Sequence, residues 1–142
     1  MLSEFWNSMH LAKKLYDRKL EPVCEKYQMA RMELDILLFL SKNPGFDTAT
    51  DIVDRKRFAK SHVSLSLKTL EERGYIQRVC YPENRKTVHL KLLPEAALIV
   101  QSGQEAQREF MKAAFGTFGE QEWREIGVMF EKIAENIRRE LE

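Results

Sequence analysis

The stretch Ser61-His-Val-Ser-Leu-Ser-Leu-Lys-Thr-Leu-Glu-Glu-Arg-Gly-Tyr-Ile-Gln-Arg78 changes its hydrophobic period partway along. In its first half Val63, Leu67 and Leu70 fall on one face of a helix. Ser61 is expected to cap that helix, and Gly74 stands where a left-handed residue would close it. Beyond Gly74 the period is two: Ile76, Arg78 and Cys80 oppose Gln77, Val79 and Tyr81. Further on, Val88, Leu90 and Leu92 alternate with Thr87, His89 and Lys91. The segment Pro82-Glu-Asn-Arg-Lys86 lies between the two alternating runs, so the spacing predicts a β-hairpin with a polar, partly basic tip.

Upstream, Thr48 and Asp51 stand at capping-box spacing and open a short helix expected to contain Ile52, Val53 and Phe58. Two short helices in succession followed by a hairpin make a winged helix-turn-helix. In that arrangement the second helix enters the major groove of DNA while the hairpin lies along the backbone or the minor groove. With Val63, Leu67 and Leu70 turned inward, Ser61, Leu65, Lys68, Thr69 and Glu72 face outward, flanked by His62 and Ser64. The helix N-terminus favours a phosphate, and Lys68 one turn later reaches a phosphate or a guanine. Leu65 has no folding reason to sit on a polar face, and a thymine methyl is its natural partner in the groove. Arg55, Lys56, Arg57 and Lys60 approach this helix from its N-terminal side, and Arg85 and Lys86 occupy the wing tip. The alternative for this helix is a solvated face with one stray apolar residue.

Working outward, Met29, Met32, Leu34, Ile36, Leu37 and Leu40 cover most of the circumference of a preceding, buried helix, which Asn43-Pro-Gly45 stops. At the N-terminus Phe5, Met9, Ala12, Tyr16 and Leu20 form one helical stripe that Pro22 is expected to end or kink. At the other end Pro94 starts a helix running to about Gly116, and Thr117 with Glu120 repeats the capping-box spacing. The final helix carries Trp123, Ile126, Phe130, Ile133, Ile137 and Leu141 at steps of three or four. The fold class is therefore mainly α with a small β-hairpin wing, an α+β winged helix-turn-helix. Its expected units are an N-terminal helix over 1–28, a DNA-binding lobe over 29–93 and C-terminal helices over 94–142, interlocked as one structure. Phe5, Ala12, Tyr16, Trp123, Ile126, Phe130, Ile133 and Ile137 are expected to join two copies, since each large side chain buried contributes about 1.5–3 kcal/mol. Intramolecular packing is the competing use of these stripes.

Composition narrows the function. The 142 residues carry a formal net charge of only +1. Residues 29–92 nevertheless hold 12 Lys plus Arg against 8 Asp plus Glu, whereas the flanks hold 11 against 14, so an anionic partner belongs to the middle. Cys24 and Cys80 lie far apart with no CxxC, which fits a reducing cytosol better than a disulfide or zinc framework. The longest apolar runs are too short to span a membrane, and Glu4 sits where a signal peptide needs basic charge, so a cytoplasmic location is expected. His10, His62 and His89 are scattered, and neither GxSxG, HExxH nor a glycine-rich loop occurs. No enzyme activity, metal or cofactor is expected.

Residues 29–93 resemble the MarR family of bacterial transcriptional regulators, and the flanking helices fit its outline over the whole chain. The resemblance rests on Met29-Ala-Arg-Met-Glu-Leu-Asp-Ile-Leu-Leu-Phe-Leu40, on Thr48-Ala-Thr-Asp-Ile-Val53, on 61–78 and on the wing exit Lys91-Leu-Leu-Pro-Glu95. It implies a homodimer that interlocks its terminal helices and places two recognition helices on a palindromic operator in double-stranded DNA. It also implies a repressor released by a small aromatic effector held between dimer helices and DNA-binding lobes, with Trp6, Met9, His10, Met29 and Met32 as candidate lining. Plain core packing is the competing reading of those five. Two departures stand out: Asn84 replaces the aspartate of the family's wing motif, and Leu65 stands where many members carry a basic residue. A thiol-based redox sensor is an alternative, although neither cysteine has a local basic cluster. A winged-helix protein-interaction module without DNA is another, against which Lys68, Arg85 and Lys86 speak.

Overall fold

The computed structural model describes residues 1–142. Six helices and one hairpin follow in the order α1 (Leu2–Lys26), α2 (Arg31–Lys42), α3 (Ala49–Lys56), α4 (Lys60–Glu72), β1 (Ile76–Tyr81), β2 (Asn84–Leu92), a 3-10 turn (Pro94–Ala96), α5 (Ala97–Phe115) and α6 (Glu120–Leu141). The apolar helix α2 lies at the centre, with Leu34, Ile36 and Leu37 fully buried. Around it α3, α4 and the hairpin contribute Ile52, Val63, Leu67, Leu70, Ile76 and Leu90 to one core. Leu20 and Val23 of α1 and Ile99, Val100 and Ala106 of α5 belong to the same core. The long helices are thus rooted in the lobe. Where α5 crosses α2, a Cβ on Gly103 would lie 2.8 Å from Leu38 Cδ2, so any larger residue there requires the Leu38 side chain to shift.

Several local expectations are corrected. Pro22 lies inside α1 and does not end it. Leu20 and Val23, on either side, are buried against α5. Burying those two side chains contributes about 1.5–3 kcal/mol apiece, which outweighs the roughly 3 kcal/mol cost of an interior proline. Helix α4 starts two residues early, with Ala59 at its N-cap in place of Ser61 and no side-chain cap. Phe58 falls outside α3, which Arg57 closes in the left-handed conformation at φ 58°. The cap of α6 is Gly119, whose N–H donates to Glu122 Oε2 at 2.8 Å, in place of the Thr117–Glu120 pair.

Other caps follow the sequence. Thr48 Oγ1 accepts from the Asp51 N–H at 3.1 Å while the Thr48 N–H donates to Asp51 Oδ2 at 3.1 Å. Gly74 adopts φ +78°, and the Tyr75 N–H donates to the Leu70 carbonyl at 3.0 Å, so α4 ends in a Schellman turn. The strands pair antiparallel, with Ile76 opposite Leu92, Arg78 opposite Leu90 and Tyr81 opposite Asn84, and an irregularity between Val79 and Tyr81. The turn is tighter than the sequence implied, since only Pro82 and Glu83 lie outside the strands.

Candidate nucleic-acid interface

Helix α4 divides cleanly. Val63, Ser66, Leu67 and Leu70 are buried, whereas Ser61, His62, Ser64, Leu65 and Lys68 are exposed. Leu65 is 64% exposed, so no packing inside the chain accounts for it. Thr69 is only half-buried, and its hydroxyl donates back to the Leu65 carbonyl at 3.2 Å, so its proton is committed to its own helix. Because Ala59 offers no side-chain acceptor, the first-turn N–H groups of α4 keep room for an external one.

The cations expected around this helix are exposed. Arg57 and Lys60 flank the turn between α3 and α4, and Arg85 and Lys86 open β2. None of Arg57, Lys60, Lys68, Arg85 and Lys86 is tied up in an ion pair within the chain. Arg78, by contrast, is held by Glu71 at 3.4 Å. Arg55 stacks on Phe46 with its guanidinium carbon 3.4 Å from the ring centroid. A small groove of about 220 Å³ runs between α3 and α4 and is lined by Thr50, Asp54, Lys60 and Ser64 among others.

Two contacts orient the wing that sequence reasoning missed. His89 Nδ1 lies 2.7 Å from Asp47 Oδ1, and the Leu90 N–H donates to the Asp47 carbonyl at 2.8 Å, fastening β2 to the loop before α3. The signal was present only as two polar residues 42 positions apart, which periodicity does not connect. At the tip, Asn84 Oδ1 accepts from the Lys86 N–H at 3.2 Å and Asn84 Nδ2 donates to Thr87 Oγ1 at 2.7 Å. Asparagine thus braces the tip without a charge, leaving Arg85 unpaired.

The five residues considered for an effector are divided between the lobe and the exposed start of α1 in the single chain. Met29 is buried and Met32 half-buried in the lobe, while Trp6, Met9 and His10 are exposed on the first half of α1. A cavity of about 330 Å³ lies instead where α1, α2, α3 and α5 meet, lined by Tyr16, Asp35, Lys42, Arg55, Lys56 and Gln107 with apolar Leu38 and Phe39. Tyr16 is fixed there, its hydroxyl accepting from Gln107 Nε2 at 2.9 Å and its ring edge-on to Phe110. Arg31 donates to Asp35 and Asp17 at 2.9 Å each. Burial works against its charge, but these two carboxylates more than offset it and push the guanidinium pKa up. Cys24 is half-buried, and burial pushes its thiol pKa up, which opposes a reactive thiolate.

Of the dimer candidates, Phe5, Ala12, Tyr16 and Ile126 are half-buried, whereas Trp123, Phe130, Ile133 and Ile137 are exposed. Helix α6 buries no residue at all, touching its own chain through Trp123 edge-on to Phe115. No helix is long and apolar enough to cross a membrane.

A family model described as MarR family matches residues 27–85. The chain is 24% identical over 125 residues to the HTH-type transcriptional regulator PecS of Dickeya dadantii, covering 87% of this chain and 75% of the relative. Among solved structures it is similar to a Listeria monocytogenes protein of the MarR family of transcriptional regulators complexed with a 26mer DNA. That match has a TM-score of 0.82 at 18% identity and covers 99% of this chain and 90% of the other. It is also similar to a MarR/EmrR family transcriptional regulator from Acinetobacter sp. ADP1, with a TM-score of 0.77 at 22% identity and coverage of 96% of each.

Proposed function

We propose that this chain, whose residues 27–85 match a model of the MarR family, is a homodimeric transcriptional regulator of that family that binds double-stranded DNA sequence-specifically at a palindromic operator. The observation that carries the reading is the outward face of α4, where Ser61, His62, Ser64, Leu65 and Lys68 are exposed between unpaired Arg57 and Lys60 on one side and Arg85 and Lys86 of the wing on the other. An α-helix fits the major groove, where Lys68 reads guanine and Leu65 contacts a thymine methyl. Arg57, Lys60 and the α4 N-terminus contact phosphates, while Arg85 enters the minor groove. The likeness to a Listeria protein complexed with a 26mer DNA supports DNA as the partner.

The dimer forms through α6 and the first half of α1. Trp123, Phe130, Ile133 and Ile137 present an apolar stripe that the chain itself leaves 39–51% exposed. Two-fold pairing places the recognition helices about 34–36 Å apart, one turn of DNA. Regulation is by repression, relieved when a small aromatic carboxylate enters the cavity between Tyr16, Lys42, Arg55 and Lys56. Three cations against Asp35 favour an anion there, and the cavity touches both the dimer helices and α3.

The test is a titration of the dimer against a selected duplex at two salt concentrations. Neutralising about 6–10 phosphates should lower affinity by about 10³- to 10⁵-fold between 50 and 200 mM salt. A flat salt response, or equal binding to every duplex at low salt, would remove the DNA reading. Leu65→Ala should cost about 1–3 kcal/mol at operators carrying thymine at one position and little elsewhere. An equal loss on all sequences would remove the thymine contact.

A further inference from the structure

Two helix ends that lie far apart in the chain meet at one side chain. Helix α1 ends with Gln28 in the left-handed conformation at φ 49°, its N–H donating to the Glu25 carbonyl at 3.2 Å and the Met29 N–H donating to the Cys24 carbonyl at 3.0 Å. That is a Schellman ending built without glycine. Helix α4 ends the same way around Gly74, and its C-cap residue is Arg73. Arg73 Nη2 donates to the Tyr27 carbonyl at 2.7 Å and Nη1 to the Gln28 carbonyl at 2.8 Å.

The chemistry suits the place. The terminal carbonyls of α1 form the negative end of a helix dipole, which attracts a cation. A guanidinium is planar and presents its donors in a fixed fork, so two carbonyls bound at once determine its position and plane together. Arg73 is further confined by the Tyr75 ring, 5.1 Å from its guanidinium carbon, and by Glu33, whose Oε2 lies 3.8 Å from Nη1. Glu33 is itself buried and accepts from the Ala30 N–H at 3.1 Å at the start of α2. The Tyr27 hydroxyl lies 3.4 Å from Ser102 Oγ on α5. The end of the recognition helix is therefore referenced to α1 and α2 through one guanidinium, and Tyr27, whose carbonyl it holds, reaches α5 through its hydroxyl.

We propose that Arg73 is a positioning residue for DNA recognition: by holding the C-terminal end of α4 on the C-terminal end of α1, it sets the angle between recognition helix and dimer helix, and so the separation of the two recognition helices in a dimer. The inference rests on the DNA-binding reading above. It asks nothing of Arg73 at the DNA itself.

Arg73→Lys keeps the charge but replaces the fork with a point donor, and Arg73→Met removes both. Each would be measured on duplexes whose half-site centres are separated by about 9 to 12 base pairs around the ideal turn, and on a single half-site. The wild-type protein should favour one spacing by about tenfold over its neighbours, and Arg73→Lys should flatten that preference while changing single half-site affinity by less than about threefold. A uniform loss at every spacing, with the profile unchanged, would overturn the proposal. So would a failure of both variants to fold, since Arg73 would then hold the fold together and not an orientation. Should the wild-type protein bind no duplex, the DNA reading fails and the clamp is still tested in the free dimer. There, spin labels at Glu72→Cys in a Cys24→Ser, Cys80→Ser background should show a broader inter-helix distance distribution with Arg73→Lys, and an unchanged width would overturn the clamp.

Discussion

Helices α2 and α6 are both amphipathic or apolar on paper, yet their fates differ completely. In α2 seven of twelve residues are buried, whereas in α6 none of twenty-two is. Trp123, Phe130, Ile133 and Ile137 remain between 39% and 51% exposed, although any one of them would be core in a globular lobe. The difference teaches where a single chain is self-sufficient. The lobe around α2 closes its own core, while α6 carries an apolar stripe for which the chain supplies no full cover.

That contrast can be broken most severely at α6 itself. Phe130→Glu combined with Ile133→Glu should remove about 1.5–3 kcal/mol per side chain, counted twice by symmetry, and so dissociate the dimer at micromolar concentration. Light scattering reads the mass directly. A wild-type protein that is already monomeric would show that α6 has no partner of its own kind, and the comparison would have to be recast. Helical content of the lobe should survive in the charged variant, because α6 contributes nothing to its core.

Next in size is the reverse experiment. Leu37→Ala, at a site with no exposure, should cost about 2–5 kcal/mol in denaturant unfolding through lost burial and the cavity left behind. A loss below 1 kcal/mol would mean that α2 is not the centre of the core. The smallest effect is expected at the start of α3. Thr48→Ala removes the acceptor for the Asp51 N–H and should cost about 1 kcal/mol. Equal stability of mutant and wild-type protein would show that the Thr48 N–H contact to Asp51 alone suffices as the cap.

Much of this was legible in residue order. The change of period at Gly74, the Thr48–Asp51 cap and the exposure of Ser61, His62, Ser64, Leu65, Lys68 and Glu72 all depend on neighbours within a few positions and stand as read, while Thr69, expected on the same face, is half-buried. Errors of one or two residues came at Ala59 and Gly119, where the cap is a residue without a capping side chain and only backbone conformation marks it. Pro22 does not end α1, because the burial of Leu20 and Val23 beside it offsets the local cost of the proline. Trp6, Met9 and His10 share an exposed face of α1, whereas Met29 is buried in the lobe, so the single chain divides these residues between two places.

By itself, then, the order of residues determined the elements, their apolar faces and the reading face of α4, because helix and strand periodicity are properties of local backbone geometry. Only the tertiary structure decided that Asp47 would hold His89, that Arg73 would join the ends of α4 and α1, and that Tyr16 would turn toward Gln107. Those pairs are separated by 42, 45 and 91 positions, and nothing short of packing the whole chain brings such groups within hydrogen-bonding distance.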